Sequence, residues 1–358
     1  MDKSSFWNLY LSDPADDVRL DEGLAQCRKA FAEHRSIISQ MIGRFHPHAV
    51  AVLGAGYLSD LPLSDLFALT DKLYLVDWIE GAGKIGLSRS IVNRTDNGFN
   101  CLFCKVCTGH RYCRNFTGEF QKEGVCSAFE LIEQPAVTCG KYEPADNPVF
   151  VRGDVTAGVA SRFAAAMEKL VAACLTPKDA FIKAIKCVDN IKRGTLPLAD
   201  SSIDLATSSM VVSQFDAEPY AFFALLLRER FGQAEIMKHE AKLRPLMEQL
   251  RTRLFVMQVE THIRELYRIL KKDGGSRAYL AMELFRAYPE GRSEYFLVQD
   301  IAKALEVVDK YFSFQLDDLL GGRILSKMEL GDGISVNQNY VLIPKPAPAR
   351  PPHIGCPH

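Results

Sequence analysis

Six of the ten cysteines fall between Cys101 and Cys139, in the run CLFCKVCTGHRYCRNFTGEFQKEGVCSAFELIEQPAVTC. Successive gaps are two, two, five, twelve and twelve residues. A two-residue gap carries paired sulfurs round one turn to a common ion, which is why C-x-x-C recurs in tetrahedral zinc sites and in iron–sulfur clusters. Cys101, Cys104, Cys113 and Cys126 would make a compact four-thiolate site of either kind, zinc or a [4Fe-4S] cluster. Six sulfurs exceed one four-coordinate site, so Cys107 and Cys139 are left as spare thiols or as ligands to something else, and His110 could replace a thiolate.

The second constellation is the stretch AVAVLGAGYLSDLPLSDLFALTDKLYLVDW, Ala49 to Trp78. Val50, Ala51, Val52 and Leu53 form an apolar run ending in Gly54-Ala55-Gly56, as expected of a strand buried on both faces that feeds a tight turn. Glycine there permits positive φ and lets a ligand approach without a Cβ in the way. Leu61 to Leu69 has helical spacing, and Leu73 to Val76 is a second apolar strand closed by Asp77 and Trp78. An acid at that point can accept both hydroxyl protons of a ribose, the arrangement of the nucleoside-binding corner of an open α/β sheet.

The elements around these residues follow from period and punctuation. Ser12-Asp13-Pro14 can cap a helix from about Ala15 to Arg44 with Leu20, Leu24, Cys27, Phe31, Ile37, Ile38 and Met41 on its apolar side. Ile85 to Val92 has some helical periodicity. Val149 to Val155 reads as a third strand with Asp154 at its end. Ala157–Ala173 and Pro177–Ile191 are helical by period, and Ile203–Ser208 is a fourth strand followed by Ser209, Met210 and Gln214. Tyr220 to Ile269 is rich in helix formers and stops at Lys271-Lys272-Asp273-Gly274-Gly275, and Ala278–Leu284 is a fifth strand with Glu283 near its tip. A helix at Val298–Val308, a strand at Tyr311–Leu316 and a terminal strand at Ser335–Ile343 complete the chain before the proline-rich tail KPAPARPPHIGCPH, which is expected to be disordered.

Composition narrows the class. The chain has 358 residues, 47% hydrophobic and 24% charged, ordinary for a folded protein of one or two domains. A formal charge of -1 argues against a dedicated nucleic-acid surface. No run approaches the roughly 18 apolar residues of a membrane span, and the amino terminus lacks a secretion signal, so a cytoplasmic location is expected. In that setting the cysteines point to metal ligands, reactive thiols or buried small residues rather than disulfides.

Gly-x-Gly after the first strand, the acid of LVDW closing the second, and the order long helix, LKKDGG, buried strand together resemble the class I S-adenosylmethionine-dependent methyltransferases. The third glycine of G-x-G-x-x-G is replaced by Ser59, and that family has no pyrophosphate to cradle. The resemblance covers about Ala49–Trp78 and Val149–Ile343. It implies a doubly wound, mostly parallel, seven-stranded α/β sheet closed by a long hairpin. The implied organisation is an N-terminal helical segment over 1–45, a methyltransferase domain over 46–345 interrupted by a cysteine-rich insertion at 95–145, and a tail at 346–358.

The same resemblance implies S-adenosyl-L-methionine as cofactor. Its site would draw on Leu53, Gly54, Ala55, Gly56, Tyr57 and Asp60 at the turn, Asp77 and Trp78 after the second strand, Asp154 and Val155 after the third, and Ser208 and Ser209 after the fourth. Asp154 would meet the adenine amino group, and the residues after the fourth strand would face the transferred methyl. Positioning would do most of the work, and a weakly acidic acceptor would also need a base, for which Glu283 and His262 are the candidates. On the apolar stripe of its helix, His262 also reads as a buried histidine with its nitrogens satisfied. The acceptor is expected to be a small molecule rather than a macromolecule. Two alternatives remain: a methyltransferase whose thiolates hold a soft metal or metalloid substrate, and a non-enzymatic nucleoside-binding sensor of redox state or metal.

Overall fold

Four successive apolar residues, Val50 to Leu53, are buried without a polar side among them, and they form the centre of β1 (Ala49–Leu53). A strand buried on both faces needs a neighbour on each edge and a helix layer on each face. In the computed structural model, which describes residues 29–56, 58–78, 148–215, 217–288, 293–295, 298–315, 325–330 and 333–346, β1 has both. It pairs in parallel with β2 (Lys72–Asp77) on one side and β4 (Leu205–Ser209) on the other. β2 pairs in parallel with β3 (Val149–Arg152), and β4 with β5 (Arg277–Ala287).

Beyond β5 the sheet changes character. β9 (Gly333–Pro344) runs antiparallel to β5 and to β7 (Phe312–Gln315), while β6 (Ser293–Tyr295) and β8 (Leu325–Leu330) add antiparallel to β5 and β9. The order is β3-β2-β1-β4-β5-β9-β7. The sheet is therefore mixed, not mostly parallel; its path has the seven strands expected, and among the described residues β6 and β8 pair off that path. In its parallel half, helices link β1 to β2, β3 to β4 and β4 to β5, and in its antiparallel half β8 leads straight into β9. β9, the closing strand expected from SVNQNYVLI, inserts between β5 and β7. β6 and β8 had no clear periodic signal.

One face of the sheet carries α1 (Ala32–Phe45) and α2 (Leu63–Leu69), whose Ile37, Ile38, Met41, Ile42 and Leu66 pack with Val50, Val52, Leu205, Tyr279 and Val341. The other face carries the second half of α7 (Glu240–Ile269) and α8 (Val298–Tyr311), through Val259, Ile263, Leu266, Val307 and Val308 against Ala51, Leu53, Ala206 and Leu280. The first half of α7 leaves the sheet. It builds a satellite core with α3 (Val159–Ala172), α4 (Pro177–Asp189) and α5 (Ala217–Phe231) around Phe163, Phe181, Phe223, Leu250 and Leu254. The helix-rich stretch expected after Tyr220 is three helices, because Gly232 takes φ 80° between α5 and the short α6 (Gln233–Lys238), and His239 separates α6 from α7.

The first part of the expected N-terminal helix, the Ile85–Val92 helix, the cysteine segment and nearly all of the tail lie outside the described residues. Among the described residues no helix is long and apolar enough to cross a membrane, and no group of histidine, cysteine or acidic side chains is arranged to hold a metal.

Candidate active site

Parallel β1, β2, β3 and β4 end at one edge, and the strand order reverses between β1 and β4, so the crevice at their carboxyl ends is where an open sheet accepts a ligand. The glycine turn sits there. Gly54 has φ 75° and Gly56 φ 47°, so both use the left-handed region that other residues enter at a cost. A Cβ on Gly54 would lie 2.4 Å from Cγ2 of Val211, which follows β4, so that glycine also permits close approach of the two strand ends. Among the described residues, leaving out its chain neighbours, a Cβ on Gly56 would meet little, its nearest atom being the Gly54 carbonyl oxygen at 4.0 Å.

The turn is tied to the end of β2. Gly54 and Ala55 donate their N–H groups to the Val76 carbonyl at 2.9 and 3.2 Å, and Gly56 donates to Oδ2 of Asp77 at 2.8 Å. The sequence-inferred ribose acid thus faces the sequence-inferred turn. Leu53 is fully buried beneath it, Ala55 nearly so, and Tyr57 lies outside the described residues. Trp78, next in the chain, has the Arg152 guanidinium 4.8 Å from its ring centroid.

Three non-glycine residues with positive φ mark the same edge: Leu58 (60°) after β1, Ala157 (49°) after β3 and Met210 (63°) after β4. All three are buried. Left-handed backbone costs of order 1 kcal/mol or more per residue and persists only where its surroundings impose it.

Asp154 is 7% exposed, and its carboxylate is occupied from within. Oδ1 accepts the Thr156 N–H at 2.8 Å and the Thr156 hydroxyl at 2.5 Å, while Oδ2 accepts the Ser161 N–H at 3.3 Å and the Ser161 hydroxyl at 3.0 Å. Those four donors match the capacity of a carboxylate and fasten the β3 end to the start of α3.

Ser208 and Ser209 point to opposite faces of β4, as adjacent strand residues must. On the α7 face, Ser208 Oγ is 2.9 Å from Nε2 of His262, whose Nδ1 is 2.9 Å from the Val155 carbonyl. A carbonyl only accepts, so Nδ1 carries the proton and Nε2 accepts the Ser208 hydroxyl. His262 is fully buried against Phe215 at 5.1 Å, and burial holds its pKa down at about 4. The ring bridges the ends of β3 and β4. Glu283, the other candidate base, is 3% exposed on β5 next to a bulge, with its N–H directed at Ser213 Oγ at 3.4 Å.

On the opposite face Ser209 Oγ lies 2.8 Å from Nδ1 of His34, and the Ser209 hydroxyl also serves the Asp60 carboxyl. Because a carboxylate accepts, the hydroxyl donates to Asp60 and its oxygen accepts His34 Nδ1–H. His34 is fully buried, with pKa lowered to about 4 by burial and then by Arg35. The carboxyl of Asp60 is pushed up to about 6, because burial outweighs its backbone bond, the Ser209 hydroxyl and the nearby Arg35 guanidinium. Arg35 itself donates to the Ser59 carbonyl at 2.6 Å.

His34 and Arg35 are the members of this edge that the sequence pattern left unassigned. The signal was present: Phe31, His34, Ile38 and Met41 fall at steps of three and four, so a histidine occupies the apolar stripe of α1.

No protein-family model matches the sequence, and no curated protein matches it. Among solved structures, protein YcgJ of Bacillus subtilis is 12% identical with a TM-score of 0.35, covering 88% of this chain and 100% of its own. The PH0226 protein of Pyrococcus horikoshii OT3 is 8% identical with a TM-score of 0.33, over 87% and 89% of the two chains. A candidate S-adenosyl-L-methionine-dependent methyltransferase of Methanococcus maripaludis is 15% identical with a TM-score of 0.33, over 97% of each. Similarity of this size does not carry a function to the present chain.

Proposed function

We propose that this protein is an S-adenosylmethionine-dependent methyltransferase acting on a small-molecule acceptor. The observation that carries the reading is the clamp between Asp77 Oδ2 and the Gly56 N–H at 2.8 Å, set at the point where the strand order reverses. It presents a carboxylate beside a turn with little side-chain bulk, which suits a ribose whose two hydroxyls donate to one acid. The lack of side-chain bulk at Gly56 supports the fit, and the carboxyl-edge strain at Leu58, Ala157 and Met210 supports a functional edge.

S-adenosylmethionine brings its own activated methyl, so the chain's share of the chemistry is alignment and exclusion of water. Asp77 holds the ribose, Trp78 borders the nucleoside with Leu53 and Ala55 packed beneath the turn, and Ser209 and Asp60 border the space past β4. Asp154 and His262 act by positioning: the first pins α3 to the end of β3, and the second joins Val155 to Ser208. Glu283 and His262 remain the two candidate bases, and both ring nitrogens of His262 have partners. The cysteine spacing supports a zinc or iron–sulfur site in the segment between β2 and β3.

Isothermal calorimetry of the purified full chain with S-adenosylmethionine is the test. Saturable binding at one site, weakened about tenfold or more by Asp77→Ala, is the expected result. Absence of binding to the wild-type protein would remove the assignment.

A further inference from the structure

The satellite helices enclose a recess that their core does not fill. Ala224 stands one turn before Leu227 and Arg228 on α5, and Leu243 and Arg244 stand one turn before Met247 on α7, so each set shares a face. Those two faces, with Phe181 of α4 and part of α6, border a cavity of about 230 Å³ that opens to solvent. Protein interiors leave few voids larger than a water molecule, so packing alone does not account for a space of this size. Two local features leave it open: Ala224 offers a single carbon, and α6 lies alongside without burying a residue.

The recess has an apolar end and a basic mouth. Phe181, Leu227 and Leu243 are buried, and Met247 adds a thioether, a group that packs well against aromatic rings. Arg228 is exposed, and its Nε donates to the Ala224 carbonyl at 3.3 Å, so the terminal N–H groups of its fork have no partner among the described residues. Arg244 Nη2 stands 3.5 Å from Glu240 Oε1, both side chains being more than half exposed, and such a pair adds little. Two guanidinium groups thus meet one carboxylate at the mouth, which leaves a positive charge beside an apolar pocket.

We propose that this recess is a second ligand site, for a small aromatic monocarboxylate whose ring packs on Phe181 and Met247 and whose carboxylate accepts from Arg228 and Arg244. An apolar cavity of about 150 Å³ holds benzene, so one of about 230 Å³ accommodates a ring with a short acidic arm. Guanidinium and carboxylate meet in paired, charge-assisted hydrogen bonds, which a neutral hydroxyl does not reproduce. Every described lining residue belongs to α4, α5, α6 or α7, and none to a strand or to the loops that follow β1 to β4. The site is therefore separate from the strand-reversal crevice and stands whether or not that crevice binds S-adenosylmethionine.

Calorimetry and melting curves of the full chain, with phenylacetate, benzoate, 2-phenylethanol and acetate as probes, test this. Wild type should bind phenylacetate or benzoate at one site with a Kd of about 1 mM or tighter, and melt at a higher temperature in its presence. 2-Phenylethanol should bind about tenfold more weakly or worse, and acetate should bind less still. Ala224→Leu should occupy the space and weaken the aromatic acids by about tenfold or more, without lowering the melting temperature of the free protein. Arg228→Gln, at an exposed position, should weaken the acids by about tenfold and leave 2-phenylethanol unchanged. If Ala224→Leu does not fold, Arg228→Gln alone decides. Absence of saturable binding of either acid to wild type, equal binding of acid and alcohol, or binding untouched in the folded variants overturns the proposal. Each of these outcomes leaves the methyltransferase reading where its own calorimetry puts it.

Discussion

Gly56 and Asp77 are joined by a hydrogen bond of 2.8 Å from a backbone N–H to a carboxylate oxygen, across the gap between the turn after β1 and the end of β2. That acid shapes the turn before a ligand arrives, and on the proposed reading it also holds the ribose. Removing it should act on both.

Asp77→Ala is expected to weaken S-adenosylmethionine binding by about tenfold or more, since bonds to a charged acceptor contribute roughly 1.5–3 kcal/mol. It should also lower the melting temperature, because the Gly56 N–H loses its acceptor. Asp77→Asn keeps the acceptor for Gly56 and should restore the melting temperature while binding stays weak. Equal loss of stability in the two variants would show that the Gly56 bond is not what Asp77 adds to the fold.

Gly54→Ala is expected to destabilise by about 2 kcal/mol or more, from left-handed strain together with the 2.4 Å encounter with Val211 Cγ2. Gly56→Ala, with φ 47° and nothing nearer than 4.0 Å among the described residues beyond its chain neighbours, carries the strain alone and should cost about 1 kcal/mol. Combining Gly54→Ala with Val211→Ala should recover part of the loss, as the encounter goes but the φ remains. Urea denaturation of the four proteins gives the comparison, and no recovery in the double variant would refute the encounter.

Two buried histidines flank β4, His262 on one face and His34 on the other, and burial lowers both to about 4. The unfolded chain, with histidine near its ordinary value, takes up protons more readily. Their contribution is therefore present above about pH 6.5 and is lost as pH falls towards 4, by an amount on the order of 3 kcal/mol each. Asp60 runs the opposite way: raised to about 6, it favours folding at low pH and loses that contribution as pH rises through 6. Unfolding free energies at pH 7 and 4.5 should show net loss on acidification, reduced in His262→Gln. An unchanged pH slope in that variant would mean that His262 is not neutral in the folded state.

Much of this edge was legible because it depends on local pattern. An apolar run ending in Gly54-Ala55-Gly56, then an acid one helix and one strand later, places the Asp77 carboxylate beside the turn with few alternatives. Asp154 was harder: its place at the end of β3 could be read, but Thr156 and Ser161, which occupy its oxygens, are ordinary residues until the loop closes on them. His34 belongs to a third kind. Its position on the α1 stripe was visible, yet only the pairing of β1 with β4 brings it to Ser209, 175 residues away. The antiparallel half of the sheet was partly hidden, since β6 and β8 are short or solvent-facing additions whose residues lack an alternating apolar pattern, as exposed Leu325 illustrates.

The attachment of the cysteine segment is set by strand direction. β2 and β3 run parallel, with Tyr74 opposite Val149 and Asp77 opposite Arg152. The chain between them therefore departs at the carboxyl edge, immediately after Asp77 and Trp78, and returns at the amino edge before Val149. Only the departing root stands at the carboxyl edge, beside Asp77. Metal loss should thus reach the ligand site through Trp78 and Asp77 rather than through Asp154, which α3 holds independently. Anaerobically purified protein is expected to carry about one zinc or about four iron per chain, visible absorbance separating the two. Less than about a tenth of an equivalent of either would count against a metal site. Cys101→Ser combined with Cys104→Ser should lose the metal and weaken S-adenosylmethionine binding several-fold, while the circular dichroism of the sheet persists. Adding Asp77→Ala to that double variant should then produce less than the product of the separate losses, because both act at one root. Fully multiplicative losses would place the segment's influence elsewhere, and unchanged binding in the metal-free variant would make it an independent module.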